Sequence, residues 1–199
     1  PFDEVSAIEA LESIDVGGRR ISIDIDLYIL PLPRLYAMGS SCSGSRIFLS
    51  PGTREVCAEV CAYVVTHEAG HCFQYEYAPC SDDGSWGEYL EIRGIKNDPA
   101  YAMDSTCRWY MPKEVFAEDF RYLFGGDASC YTGTIENPEL PVPDAVAGLE
   151  EFYVGLLTGP AVSSPSAGII SSAVNYPNPF NPVTTIRALL AGENSTGEI

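Results

Sequence analysis

Residues 65–77 read VTHEAGHCFQYEY and hold both histidines of the chain, His67 and His71, with Glu68 between them. The segment continues an apolar run, CAEVCAYVVT at 57–66, in which Val56, Val60, Val64 and His67 recur at helical spacing. The pattern predicts a long buried helix over residues 53–74. On such a helix residues i and i+4 stand one above the other, so two imidazole nitrogens reach a single tetrahedral metal ion with Glu68 beside them. A carboxylate there can take a proton from a metal-activated water. The alternative is an ordinary helix with two incidental histidines, since H-E-x-x-H is a short pattern. It is weakened by the apolar flank, which would bury two imidazoles in need of partners.

A catalytic zinc takes three protein ligands and keeps one position open to water. The metzincin continuation H-x-x-G-x-x-H is excluded, because Gln74 and Tyr77 stand at its glycine and histidine positions. With no third histidine, a carboxylate on a later helix is the expected donor. PKEVFAEDFRYLFGG at 112–126 has Pro112 in its first turn, Phe116, Phe120 and Leu123 on one face, and Gly125 and Gly126 as a stop. Its other face carries Glu114 and Glu118, four apart. One carboxylate can bind the metal while the other hydrogen-bonds a ligand histidine and sets its tautomer. Glu118 and Arg121 can alternatively form an i,i+3 surface pair. Cys72, Cys80 and Asp104 are rival donors, though a thiolate suits a closed structural site better than one open to water.

Working outward, residues 3–13 predict a helix capped by Asp3, and RISIDIDLYIL at 20–30 alternates as a half-buried strand. SRIFLS at 45–50 predicts a second strand, SWGEYLEIRGI at 85–95 a short helix, and PDAVAGLEEFYVGLLTG at 143–159 a final one. Helix, two strands and then helices make a small α+β domain over residues 1–160. Small polar residues at 161–172 read as a linker, and residues 173–199 as the start of a β segment too short to fold alone. No apolar run is long enough to span a membrane, and Pro1 opens the chain without a leader, as expected of a processed precursor or of a piece cut from a longer chain. Eleven Lys and Arg against 28 Asp and Glu, net −17, argue against nucleic acid as a partner. Seven cysteines favour an oxidising compartment. Cys42, Cys80, Cys107 and Cys130 lie in loop-like sequence suited to disulfides, whereas Cys57 and Cys61 fit buried thiols on the apolar helix.

HEAGH, followed 43 residues after His71 by EVFAEDF, resembles the gluzincin metallopeptidases, in the branch of the anthrax lethal factor-like catalytic domains. There H-E-x-x-H is completed by a glutamate opening an E-F-F-A-E-x-F type helix. The resemblance covers the two metal helices and implies a zincin-like fold with a short mixed sheet. It implies His67, His71 and Glu114 as zinc ligands, Glu68 as general base, and Glu118 behind a ligand histidine. Such peptidases stabilise the oxyanion with a tyrosine or histidine; the matching position here is Cys107, and nearby Tyr110, more than Tyr101, is the candidate. SRIFLS would serve either as the edge strand to which a peptide substrate adds or as a plain core strand.

NYPNPFNPVTTIRALL at 175–190 is similar to the start of the Ig-like C-terminal domains that mark cargo of the bacterial type IX (Por) secretion system. That likeness implies the secretion machinery as a partner and a secreted or cell-surface location. Together these expectations describe a secreted zinc endopeptidase acting on peptides or proteins. The alternatives are a non-catalytic module with a structural zinc, and a zinc hydrolase acting on non-peptide amides.

Overall fold

The strand alternation in residues 20–30 produces β1 (Asp24–Ile29), with Ile25 and Leu27 fully buried and Ile21 and Ile23 buried just ahead of it. The structure, a computed structural model, describes residues 2–19, 21, 23–30, 39–50, 56–82 and 84–158, together with the backbone of a strand at 184–189. It is an α+β arrangement, with a small mixed sheet against helices. A short antiparallel hairpin joins β2 (Ser41–Ser43) to β3 (Arg46–Leu49), turning at Gly44, whose φ of +60° suits a residue without a side chain. β3 pairs in parallel with β1. On the other side of β1 the backbone of β4 (Thr184–Leu189) pairs antiparallel, giving the order β2-β3-β1-β4.

α1 (Glu4–Glu12) begins where the Asp3 carboxylate accepts the Ser6 amide at 2.9 Å. α2 (Ala58–Tyr77) is the central element, apolar on most of its circumference because α1, the β2-β3 hairpin and α4 (Pro112–Phe124) all pack on it. α3 (Ser85–Ile92), the one-turn α5 (Gly126–Ser129) and α6 (Leu149–Leu156) complete the helical layer. Its core is aromatic: Phe73, Tyr89, Phe116, Phe120 and Tyr153 are buried with ring centroids 4.7–6.4 Å apart. The polar ends of the two tyrosines find partners, Tyr153 Oη donating to the Phe116 carbonyl and Tyr89 Oη to Asp119, each at 2.9 Å. Asp119 also faces Arg93 Nε at 3.0 Å, a fully buried ion pair tying α4 to the end of α3.

α2 and α4 cross closely because Gly70 lies at the contact. A Cβ added there would meet Ala117 Cα and O at 2.9 Å and Phe120 Cβ at 3.1 Å. The glycine of HEAGH is therefore a packing requirement.

Several expectations are corrected. Of the two readings of SRIFLS the core strand holds and the edge does not: β3 lies inside the sheet, and the edge beside α2 is β2, too short and polar to show alternation. The long helix starts at Ala58, so Cys57 is its exposed N-cap residue rather than a buried thiol, whereas Cys61 is buried as expected. The final helix is broken: a 3-10 turn at Pro143–Ala145 is separated from α6 by Gly148, whose φ of +82° no continuous helix accommodates. The linker at 161–172 and, apart from the backbone of β4, the segment 173–199 lie outside the described residues. Among the described residues no helix is long and apolar enough to cross a membrane.

Gly70→Ala should lower unfolding free energy by about 1–3 kcal/mol through overpacking, read from urea denaturation. Arg93→Met should cost more, about 3–5 kcal/mol, since it strands the buried Asp119 carboxylate.

Candidate metal centre

His67 and His71, one turn apart on α2, present their rings at right angles, 85° between planes with centroids 4.9 Å apart. Pro112 fixes the first turn of α4, and from that turn Glu114 projects toward both rings. Glu114 Oε2 lies 3.4 Å from His67 Nε2 and 3.4 Å from His71 Nε2. These distances are long for hydrogen bonds. They match the separation, roughly 3.3–3.4 Å, of ligand atoms each about 2.0–2.1 Å from one tetrahedral ion. The donor atoms of His67, His71 and Glu114 all fall within 4.8 Å of one another, and this group can hold a metal ion.

Behind it, Glu118 is buried and saturated with donors. His67 Nδ1 meets Glu118 Oε1 at 2.6 Å, and Tyr63 Oη donates to Oε2 at 2.9 Å. Arg121 donates through Nε and Nη2 at 3.2 and 3.0 Å, and the Glu136 amide donates at 3.0 Å. Desolvation works against the carboxylate, but the His67 and Arg121 contacts outweigh it and hold its pKa at about 2. The ionised Glu118 puts the ring proton of His67 on Nδ1 and turns the Nε2 lone pair toward Glu114 and His71. Glu118 and Arg121 do form the i,i+3 pair, yet it is a buried one. Arg121 is fully buried, with its remaining donors on the Ser129 and Thr134 carbonyls at 2.7 Å and its guanidinium 4.0 Å from the Tyr63 ring centre.

The centre attracts positive charge. Burial opposes a charge on His67, but contacts with Glu114 and Glu118 prevail and raise its pKa to about 10. Arg108 answers the same pull from a 3-10 turn at Arg108–Tyr110: its Nη2 lies 2.9 Å from Glu114 Oε2 and 3.1 Å from His67 Nε2. A guanidinium only donates, so that contact belongs to the neutral ring with Nε2 as acceptor, the form a metal also requires, and not to the protonated ring that the carboxylates favour. Arg108 Nε is in turn paired with Glu136 at 3.1 Å.

These groups open onto a cleft of about 350 Å³. One wall is the hairpin, through Ser41, Cys42 and Gly44; the opposite wall carries Glu68, His71, Arg108, Lys113 and Glu114. Five of the six residues expected at the site converge here: His67, His71 and Glu114 as donors, Glu118 behind His67, and Glu68 on the cleft wall. Tyr110 does not join them; its ring packs edge-on against Tyr101, 5.5 Å away, and its hydroxyl pKa is raised chiefly by the nearby Glu139. The rival donors also lie elsewhere. Cys72 Sγ faces Cys42, Cys80 Sγ accepts from Gln74 at 3.1 Å, and Asp104 is exposed on a turn. Arg108, Tyr63 and Glu136 were invisible to spacing arguments. Arg108 was the most accessible of them, next to Cys107 at the position where the resemblance places an oxyanion donor.

Comparison of the chain with family models, with curated proteins and with solved structures found no match in any of the three.

Zn²⁺ added to the protein should bind with 1:1 stoichiometry in a chelator-competition titration. Glu118→Gln, which leaves the three donors intact but loses the charge behind His67, should weaken that binding about 10- to 100-fold.

Proposed function

We propose that this chain is a secreted zinc-dependent endopeptidase of the gluzincin type, with a zincin-like fold and with His67, His71 and Glu114 as the zinc ligands. The observation that carries the reading is the convergence of these three donors, of which His71 and Glu114 line one cleft with Glu68, while Glu118 bonds the far nitrogen of His67. Two imidazoles and one carboxylate are a zinc donor set that leaves a position open. The bound ion would supply Lewis acidity and acidify water. Among the described residues no fourth His, Cys, Asp or Glu joins the group, which favours a catalytic over a structural zinc site.

Glu68, on the cleft wall beside His71, accepts the proton of the attacking water and returns it to the leaving amine. Arg108, tethered at Nε by Glu136, directs Nη2 to the edge of the ligand group and stabilises the negative charge that develops on the scissile carbonyl oxygen. It takes the role for which Tyr110 was the sequence candidate. An extended peptide lies along the cleft beside β2, whose position at the sheet edge suits strand addition. Export through the type IX route rests on the 175–190 resemblance.

Glu68→Gln should keep zinc and lower turnover on a peptide library by about 10²–10⁴-fold, followed by mass spectrometry of the products. Undiminished turnover would remove Glu68 from the mechanism, and silence of the wild-type protein on peptides with activity on small amides would replace the peptidase reading. Arg108→Ala should lower kcat about 10²–10³-fold with zinc retained, whereas Tyr110→Phe should leave kcat unchanged.

A further inference from the structure

The hydrolytic reading leaves the cysteines unused. All seven are free thiols in the structure: Cys61 is buried on α2, Cys80 accepts from Gln74, and Cys130 donates to the Tyr122 carbonyl at 3.1 Å. One sulfur pair is in contact among the described residues. Cys42 Sγ, on β2, stands 3.2 Å from Cys72 Sγ, on α2 immediately after His71. Cys42 donates its own proton to the Gly44 carbonyl at 3.0 Å, so the Cys72 thiol is the donor in the contact between sulfurs.

We propose that Cys42 and Cys72 form a disulfide under oxidising conditions, a cross-link tying the cleft-side edge strand to the metal-binding helix. The sulfurs are about 1.2 Å farther apart than in an S–S bond, a gap that small side-chain rotations close. Access sets the order of events. Cys42 is half-buried and lines the cleft, while Cys72 is buried behind it. The Cys42 thiolate attacks one sulfur of a low-molecular-weight disulfide, forming a mixed disulfide and releasing the first small thiol. The Cys72 thiolate then attacks Cys42 Sγ and displaces the second. Two protein thiols are oxidised to one disulfide, the small disulfide is reduced to two thiols, and the two protein protons end on those thiols. The bond would close the chain between strand and helix across the hairpin, and the inference stands whether or not the cleft hydrolyses peptides.

The test incubates the full chain with reduced or oxidised glutathione, blocks remaining thiols by alkylation, and maps non-reduced peptides by mass spectrometry. The expected result is one linked pair containing Cys42 and Cys72, with Tm about 5–10 °C higher in the oxidised protein. Cys42→Ser should abolish that redox-dependent shift, and Cys130→Ser should preserve it. Cys42→Ser alters the half-buried partner, so the comparison does not depend on how the buried Cys72 tolerates replacement. Complete alkylation of Cys42 and Cys72 after oxidation, a link between other cysteines, or persistence of the shift in Cys42→Ser would overturn the proposal.

Discussion

The arrangement depends on how closely α2 and α4 approach at Gly70. With only a hydrogen in place of a side chain, Gly70 lets Ala117 of α4 lie where a Cβ would otherwise stand. Gly70 follows His67 by three residues and precedes His71 by one; Ala117 follows Glu114 by three and precedes Glu118 by one. The contact is thus the pivot about which all four side chains converge. Phe73, Phe116, Phe120 and Tyr153 pack behind it and resist any sliding of one helix on the other. A wider crossing would draw Glu114 away from both histidines and Glu118 away from His67 together.

Electrostatics gives the same pair of helices their chemical bias. Glu68, Glu114, Glu118 and Glu136 gather about the two imidazoles, with Arg108 and Arg121 among them. With Lys113 also on the cleft wall, four carboxylates outnumber three cationic side chains, a net negative surrounding that favours a cation at the imidazoles. The two arginines differ in kind. Arg121 is locked by four protein acceptors and permanently neutralises Glu118. Arg108 is half exposed, held at one end by Glu136, and faces the ligand atoms with the other.

The helices and their metal-facing residues were legible because they obey long, periodic rules: spacing of four on α2, the amphipathic stripe of α4, and the proline and glycines that bound it. β1 was legible by alternation. What escaped were features with no local signature. β2 is three residues of Ser, Cys and Ser, defined only by its pairing to β3. Gly148 lies inside the segment read as one final helix, and its positive φ puts a break there. Glu118 and Arg121 have the spacing of a surface pair, and only tertiary packing from Tyr63 and the 129–136 segment makes them a buried one. Tyr110 is the sequence candidate for its nearness to Cys107, but the 3-10 turn directs Arg108 inward and leaves Tyr110 against Tyr101. A turn of three residues reverses which side chain faces a site, and periodicity does not extend to it.

Ligands and cleft wall come from different parts of the fold. The metal donors belong to two helices joined by Gly70 and Ala117, while Ser41, Cys42 and Gly44 of the wall belong to a hairpin. Changes in the hairpin can therefore alter what the cleft accepts without moving a donor atom. The hairpin has to be held against α2 by something other than the metal, because none of its side chains is a donor. Ile47 and Leu49, fully buried under the helix, supply that attachment from β3; on β2 the attachment falls to Cys42, the residue whose sulfur meets α2 beside His71.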